Sequence, residues 1–337
     1  MGSTVAVYGA YGHTGRFVVA ELRARGFTPL PSGRDAARLA AAFPGLDARP
    51  ASADDPASLD RALAGADAVI NAAGPFAATG APVVEAALRA GIPYVDVAAE
   101  IEANADTFAH FADRARAAGA VVVPAMAFFG GLGDLLATTA RGDWTSADEV
   151  HVAYALSTWH PTEGTRASGR VSTDRRAGRR VRFTGGALEY HDEPLSTLDW
   201  TFPEPTGTRR VLGRFSMADV VTIPSHLDVR DVHSYMTVEA VTDLSSPDTP
   251  APAPADATGR SAQTFVVDVV VRSGTEERRA TATGRDIYAV TAPLAVEAVD
   301  RILKGKTNTT GVASAGEIFD ATDFLDALAP HVTVERH

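Results

Sequence analysis

Val5-Ala6-Val7-Tyr8-Gly9-Ala10-Tyr11-Gly12-His13-Thr14-Gly15-Arg16 lies close to the start of the chain, and the rest of the sequence is best read outward from it. The apolar, β-branched run predicts a strand over Val5–Gly9, and the spacing that follows predicts a helix over Thr14–Arg25, closed by Gly26. Between them stands a G-x-x-G-x-x-G loop. Gly9 permits the tight turn, Gly12 lets backbone amides approach a pyrophosphate, and Gly15 lets the helix pack close to the strand. The helix N-terminus then faces the anion. A lone glycine motif is weak evidence; in a strand–loop–helix context it is strong.

The alternation continues beyond it. Thr28–Gly33 reads as a strand, Asp35–Phe43 as a helix, Ala66–Ala73 as a buried strand and Pro82–Ala90 as a helix closing on Gly91. Tyr94–Ala98 is the next strand, Ile101–Ala118 a helix closing on Gly119, and Ala120–Ala125 a further strand. Glycine just past a helix supplies the left-handed C-terminal cap. Strands alternating with helices in this way imply a parallel, doubly wound sheet. After about Gly142 the pattern changes: Glu149–Leu156, Arg180–Thr184, Tyr235–Val241 and Thr264–Arg272 read as strands with few helices between them. Ser245–Ala262, rich in Pro, Ala and Asp, reads as a mobile hairpin tip joining the last two. Thr291–Leu303 and Ala321–Leu328 read as helices. The expected fold class is α/β, a Rossmann doubly wound parallel sheet plus a second α+β domain rich in antiparallel strands. The expected division is 1–127 for the NADP-binding Rossmann domain, 128–286 for a substrate and dimerisation domain, and 287–337 for C-terminal helices packing back on the first.

Composition narrows the function classes. The 337 residues, 45% of them apolar, suffice for about two domains with a proper core. No stretch is long and apolar enough to span a bilayer, and no basic leader precedes an apolar segment, so a cytoplasmic protein with no membrane partner is expected. A formal charge of −11 argues against a nucleic-acid partner. The absence of cysteine excludes disulfides, thiolate metal sites and thiol nucleophiles, and no His or carboxylate spacing points to zinc. Lys304 and Lys306 are the only lysines, which leaves almost no candidate catalytic amine.

The second strand ends in Ser32-Gly33-Arg34, where an NAD site would place an acid on the ribose 2′-hydroxyl. A hydroxyl and a guanidinium suit a 2′-phosphate instead, with Arg34 able to bind it bidentately, so the expected cofactor is NADP(H); Asp35 keeps NAD open. Asn71-Ala72-Ala73-Gly74-Pro75 ends the Ala66–Ala73 strand, and its small residues let ribose and nicotinamide lie against backbone. Asp54 and Asp55 either approach the adenine or form an N-cap pair with Pro56 at the first helical position. The expected cofactor contacts are Gly9, Tyr11, Gly12, His13, Thr14, Gly15, Ser32, Arg34, Asp54, Ala73, Gly74 and Pro75.

Short-chain dehydrogenases use a tyrosine with lysine four positions on, and none of the seven tyrosines here has one. The run Tyr8–Arg16 resembles instead the opening of saccharopine dehydrogenase-like NADP-binding proteins. So do Ile70-Asn71-Ala72-Ala73-Gly74-Pro75-Phe76, Gly80–Ala87, Tyr94-Val95-Asp96-Val97-Ala98-Ala99-Glu100 and Gly130-Gly131-Leu132-Gly133-Asp134. Thr222-Ile223-Pro224-Ser225-His226-Leu227 and Gly284-Arg285-Asp286-Ile287-Tyr288 look like the short actinobacterial-type branch. The resemblance implies a Rossmann domain, a substrate domain and NADP(H)-linked redox chemistry on imines, secondary amines or other small substrates. Fold likeness alone does not fix the substrate.

Ligands of such sheets lie beyond the carboxyl ends of the strands. That draws in Phe76, then Asp96 and Glu100, a carboxylate pair able to hold an amine or relay a proton, with helix capping and backbone bonding as the bland reading. Phe128 and Phe129 follow the Ala120–Ala125 strand and would line an apolar pocket. Trp159-His160-Pro161-Thr162-Glu163-Gly164-Thr165 reads as a turn-rich loop able to cover the cofactor, with Trp159 and Thr162 against substrate and His160 as acid. His226 is the other imidazole, favoured by the resemblance. The expected catalytic residues are therefore Asp96, His160 and His226. Arg170, Arg175, Arg176, Arg179, Arg180 and Arg182 could receive an anion, but read more simply as the solvated face of a hairpin around Ala177-Gly178. The expected function is NADPH-linked hydride transfer to or from an imine or carbonyl carbon of a small molecule, in a chain able to form a homodimer. Its rivals are an enoyl reductase on a lipid or polyketide acyl group and a non-catalytic NADP sensor.

Overall fold

The computed structural model describes residues 2–336. The first half alternates β1 (Thr4–Tyr8), α1 (His13–Ala24), β2 (Thr28–Gly33), α2 (Ala36–Ala42), β3 (Arg49–Pro50), α3 (Pro56–Leu63), β4 (Ala68–Asn71), α4 (Phe76–Ala90), β5 (Tyr94–Asp96), α5 (Ile101–Ala117) and β6 (Val121–Val123). There follow α6 (Gly133–Arg141), β7 (Ala147–Leu156), α7 (Glu163–Arg175), β8 (Arg180–Thr184), β9 (Ala187–His191), β10 (Thr197–Thr201), β11 (Thr208–Gly213), α8 (Asp219–Thr222), β12 (Val229–Thr237) and α9 (Val238–Ser245). The chain ends with β13 (Thr264–Ser273), β14 (Glu276–Arg285), α10 (Thr291–Leu303), β15 (Gly311–Val312), α11 (Ala315–Ile318), α12 (Ala321–Ala327) and β16 (Val332–Arg336).

The first sheet is parallel, in the order β15-β6-β5-β4-β1-β2-β3. Its register lines up Ser32, Tyr8, Asn71 and Asp96 along the carboxyl edge. Period-two alternation buries both faces: Val5 and Val7 join a core with α1, α2 and α10, while Ala6 and Tyr8 join one with α3, α4 and α5. This is the doubly wound arrangement that the alternating strands and helices imply.

The second sheet is mixed, along the path β10-β11-β12-β7-β13-β14-β16, with the β8–β9 hairpin attached through β12. Among the described residues, only its β12–β7 ladder is parallel. Val150, Val152 and Tyr154 of β7 and Val267, Val269 and Val271 of β13 extend the first of those two cores, with Leu135 and Leu136 of α6 packed between the sheets. The C-terminal stretch serves both halves: α10 lies against α1, β15 joins the first sheet and β16 the second.

Several local readings are corrected. The helix expected from Pro82 begins at Phe76, because packing of a buried face offsets the one amide that Pro82 cannot supply. The strand expected over Tyr235–Val241 ends at Thr237 and turns into α9. Ser245–Ala262 is therefore no hairpin tip: α9 precedes it, and β12 and β13 are separated by β7. Trp159–Thr165 is not simply a loop, since Thr162 N-caps α7 by accepting from Thr165 N at 3.0 Å. Arg170 and Arg175 ride on that helix, Ala177 and Gly178 turn out of it at positive φ, and the hairpin turns later, at Gly185-Gly186.

Candidate functional site

The glycine loop is shaped by close approaches. Gly9 takes φ +84°, and a Cβ there would stand 2.7 Å from the Ala73 backbone nitrogen. The amides of Gly9 and Ala10 donate to the Ser32 carbonyl at 2.9 and 3.0 Å. A Cβ on Gly15 would stand 2.8 Å from the Ala10 carbonyl oxygen, so α1 rests directly on the end of β1. The helix starts at Gly12 with no side-chain cap and no acid in its first turn, which leaves its N-terminus able to receive an anion.

Beside β2, the Tyr11 ring covers Gly33, where a Cβ would stand 2.8 Å from its Cε1 atom. The Arg38 guanidinium lies over the same ring at 4.5 Å, and Arg34 is exposed with no hydrogen-bond partner among the described residues. Ser32 departs from expectation: it is 1% exposed and its hydroxyl is sealed beneath the strand end, so its carbonyl shapes the loop while its side chain faces inward. Asp55, not Asp54, caps α3, accepting from Ser58 N at 3.2 Å; Asp54 stays exposed. Arg38 was not foreseen, although a basic residue four positions after Arg34 on a helix face was the available signal.

At the end of β4 and β5 the carboxylates turn out to be structural. Asp96 is 2% exposed; its Oδ1 accepts from Ala98 N at 3.0 Å and Ala125 N at 2.8 Å, and its Oδ2 from the Tyr94 hydroxyl at 2.9 Å. Burial pushes its pKa up to about 6, against the pull of those three donors. Tyr94 in turn accepts from the Asn71 amide at 3.2 Å. Glu100 caps α4, not its own helix: its oxygens accept from Phe76 N at 2.7 Å and Ala77 N at 3.0 Å. Both groups hold the loops. Phe76 packs under them with Ala98 and Ala103.

Gly74 is covered from the second half of the chain, since a Cβ there would stand 2.8 Å from the Ser168 hydroxyl of α7. That helix is fixed to α5: Ser172 donates to Glu102, Arg176 pairs with Glu102 at 3.4 Å and Arg175 with Asp106 at 2.7 Å. Its first turn meets Tyr288, whose hydroxyl lies 2.9 Å from Thr165 Oγ1 and accepts from Thr162 N at 3.3 Å. The Tyr288 ring packs edge-on against His13 of the glycine loop, centroids 5.2 Å apart. Burial lowers the His13 pKa, and its Nε2 is enclosed without a partner among the described residues. Ser168 and Tyr288 gave no catalytic signal in sequence; only the fold brings them to the loop.

The remaining expectations separate. Phe128, Phe129 and Trp159 are buried and stack with Tyr154 and Phe265 as core, not as an open wall. His226 is buried, its Nε2 2.7 Å from Asp134 Oδ1, while Asp134 Oδ2 accepts from Gly316 N at 2.7 Å. Burial alone would lower the His226 pKa, but the Asp134 carboxylate outweighs it and holds it above the ordinary value. Asp134 thus ties α6 to α11 and to His226, a structural role for the pair at some distance along the chain from the glycine loop. His160 is half-buried, its ring makes no hydrogen bond among the described residues, and it lines a cleft with Tyr288.

Residues 5–123 match the family described as saccharopine dehydrogenase NADP binding domain. Over that stretch the chain resembles a saccharopine dehydrogenase NADP-binding domain. A probable mitochondrial saccharopine dehydrogenase-like oxidoreductase of Arabidopsis thaliana is 33% identical over 143 residues, which is 37% of this chain and 31% of the relative. The match thus spans about a third of that relative's length. Apo saccharopine dehydrogenase (L-Glu forming) from Saccharomyces cerevisiae aligns over 100% of both chains with a TM-score of 0.66 at 13% identity, which establishes a shared saccharopine dehydrogenase fold. Among the described residues, no helix is long and apolar enough to cross a membrane.

Proposed function

We propose that this protein is an NADPH-dependent reductase, or the corresponding dehydrogenase, acting on an imine or carbonyl carbon of a small molecule. The observation that carries the reading is the uncapped α1 N-terminus beside the Gly9 loop, with α7 of the second half set against Gly74 through Ser168. The cofactor slot of this reading runs along that edge, with α7 as its roof. The amides of His13, Thr14 and Gly15 would hold the pyrophosphate, and Arg34, with Arg38 beside it on Tyr11, the 2′-phosphate. Ala73, Gly74 and Pro75 would back the nicotinamide ring. Bound there, NADPH supplies the hydride; the chain supplies orientation and exclusion of water.

With Asp96 and His226 committed to the architecture, His160 is the proton donor of this reading. The two supports for an enoyl reductase weaken, since Phe128 and Phe129 are core and Arg175, Arg176 and Arg182 of the arginine run are paired with Glu or Asp. The reading also carries a cytoplasmic address and a homodimer through the second sheet, the latter testable by light scattering.

The test is a fluorescence titration with NADPH and NADH. Wild type is expected to prefer NADPH. Arg34→Ala, losing a charge-assisted contact worth about 1.5–3 kcal/mol, is expected to weaken NADPH by roughly 10- to 150-fold and leave NADH unchanged. Equal binding of both cofactors by both proteins would overturn the assignment of Arg34. Cofactor binding with no turnover of any ketone or cyclic imine would favour the sensor.

A further inference from the structure

A cleft of about 370 Å³ opens beside the cofactor slot, between Ser157–His160 after β7, Pro252–Ala255, Ser261–Gln263 and Tyr288. Its size falls in the range of small-molecule sites, about 300–1,000 Å³. One wall is Pro252-Ala253-Pro254-Ala255, part of the Ser245–Ala262 segment between α9 and β13. Three alternating prolines, Pro250, Pro252 and Pro254, stiffen that strap. It is also tied at both ends. Arg166 of α7 donates to the carbonyls of Ser246 at 3.1 Å and Thr249 at 3.0 Å. At the far end Ser261 N donates to Asp286 Oδ2 at 2.6 Å. The wall is therefore pre-formed.

The polar groups around the cleft are mostly spent. Gln263 donates to the Thr158 carbonyl and accepts from Ile287 N at 3.0 Å. The Tyr288 hydroxyl is taken up by Thr162 and Thr165, and Ser157 Oγ accepts from Thr264 N at 2.9 Å. What remains is the His160 ring and the hydroxyls of Thr158 and Ser261. Among the described residues, no Lys, Arg, Asp or Glu lines the space. Asp286, behind it, is fully buried, with its other oxygen accepting from Tyr288 N and Ala289 N at 3.0 Å each. Tyr288 links the cleft to the glycine loop, since it lines the cleft and touches His13 with its ring and α7 with its hydroxyl.

We propose that this cleft binds the substrate, and that the substrate is uncharged and largely apolar there, presenting one polar group to His160. This rests on the reductase reading and gives it a substrate class. A carboxylate, phosphate or ammonium group would lose its hydration at a wall that offers it no Lys, Arg, Asp or Glu, and His160 spends its proton on the reacting group.

The probe is N-phenyl-1-naphthylamine, a neutral fluorophore, with 1-anilinonaphthalene-8-sulfonate as the same ring system carrying an anion. Both are titrated into the full chain, with NADPH binding measured on the same samples. The neutral probe is expected to saturate at one site and to bind at least tenfold more tightly than the sulfonate. Thr158→Trp, filling the cleft from below, and Ala253→Trp, filling it from the strap, are each expected to weaken the probe at least tenfold with NADPH affinity intact. Equal or tighter binding of the sulfonate, no saturable binding of the neutral probe, or indifference to whichever tryptophan variant folds would overturn the proposal. NADPH binding without probe binding removes the cleft and leaves the reductase reading. Probe binding without NADPH binding does the reverse.

Discussion

Asp96 has three donors on one buried carboxylate, and each would be orphaned by truncation. A buried donor left unsatisfied costs about 1–3 kcal/mol, and relief of the carboxylate's own burial offsets part of the total. Asp96→Ala is therefore expected to lose roughly 2–4 kcal/mol of stability, read as a lower midpoint in urea. A catalytic Asp96 would show the opposite pattern, with turnover lost and the midpoint kept. At this scale the glycines were legible because their chemistry is conformational and local: Gly9 and Gly15 must approach backbone whatever else the chain does. Asp96, Glu100 and His226 were not, because a carboxylate or imidazole carries the same letter whether it faces a ligand or caps a helix. Only the positions of Ala125, Phe76 and Asp134, supplied by the fold, decide between the two.

The element that most changes the functional picture is α7. Its sequence, Glu163–Arg175, is polar and arginine-rich with a weak apolar stripe, so periodicity gave no helix. It forms because Thr162 caps it and because Glu102 and Asp106 of α5 neutralise its arginines. Strands β1, β4, β5 and β6, by contrast, were readable as short apolar runs buried on both faces, whereas β3, only Arg49-Pro50, carries no such run. Since α7 roofs Gly74, enlarging Ser168 is expected to close one end of the slot only. Ser168→Trp should weaken NADPH at least tenfold while adenosine 2′,5′-bisphosphate, which lacks the nicotinamide half, binds as to wild type. Isothermal titration with the two ligands separates the cases. Equal weakening of both would mean that the helix had moved as a whole, and unchanged NADPH binding would place the nicotinamide elsewhere.

Across the whole molecule, the two sheets meet at a buried set of acids that no cofactor contact requires. Asp219 accepts from the Tyr154 hydroxyl at 2.8 and 2.9 Å, with Asp134 and its partner His226 nearby and the Gly130 amide facing it. Burial, reinforced by the charge of Asp134, pushes the Asp219 pKa up to about 7, as burial pushes that of Asp96 to about 6. Both carboxyls thus bind a proton more tightly folded than unfolded, where the ordinary value is 3.8. Their stabilisation is complete below that value and is lost as pH rises through about 6 and about 7. The slope is opposite to that of an ion-paired carboxylate, and every tenfold gain in proton affinity on folding corresponds to roughly 1.4 kcal/mol. The contribution of these two carboxyls therefore falls between pH 5 and 8, about the span from below both raised pKa values to above them. His13, His151 and His233, whose pKa values burial lowers, slope the other way with or without Asp219, and so cancel between wild type and variant. Asp219→Asn, which keeps the shape of the protonated acid, should lose less over the same span and be the more stable protein at the alkaline end. Urea midpoints of the two proteins across that range test it. Parallel pH curves would show that Asp219 is charged throughout, held by Tyr154 and the Gly130 amide.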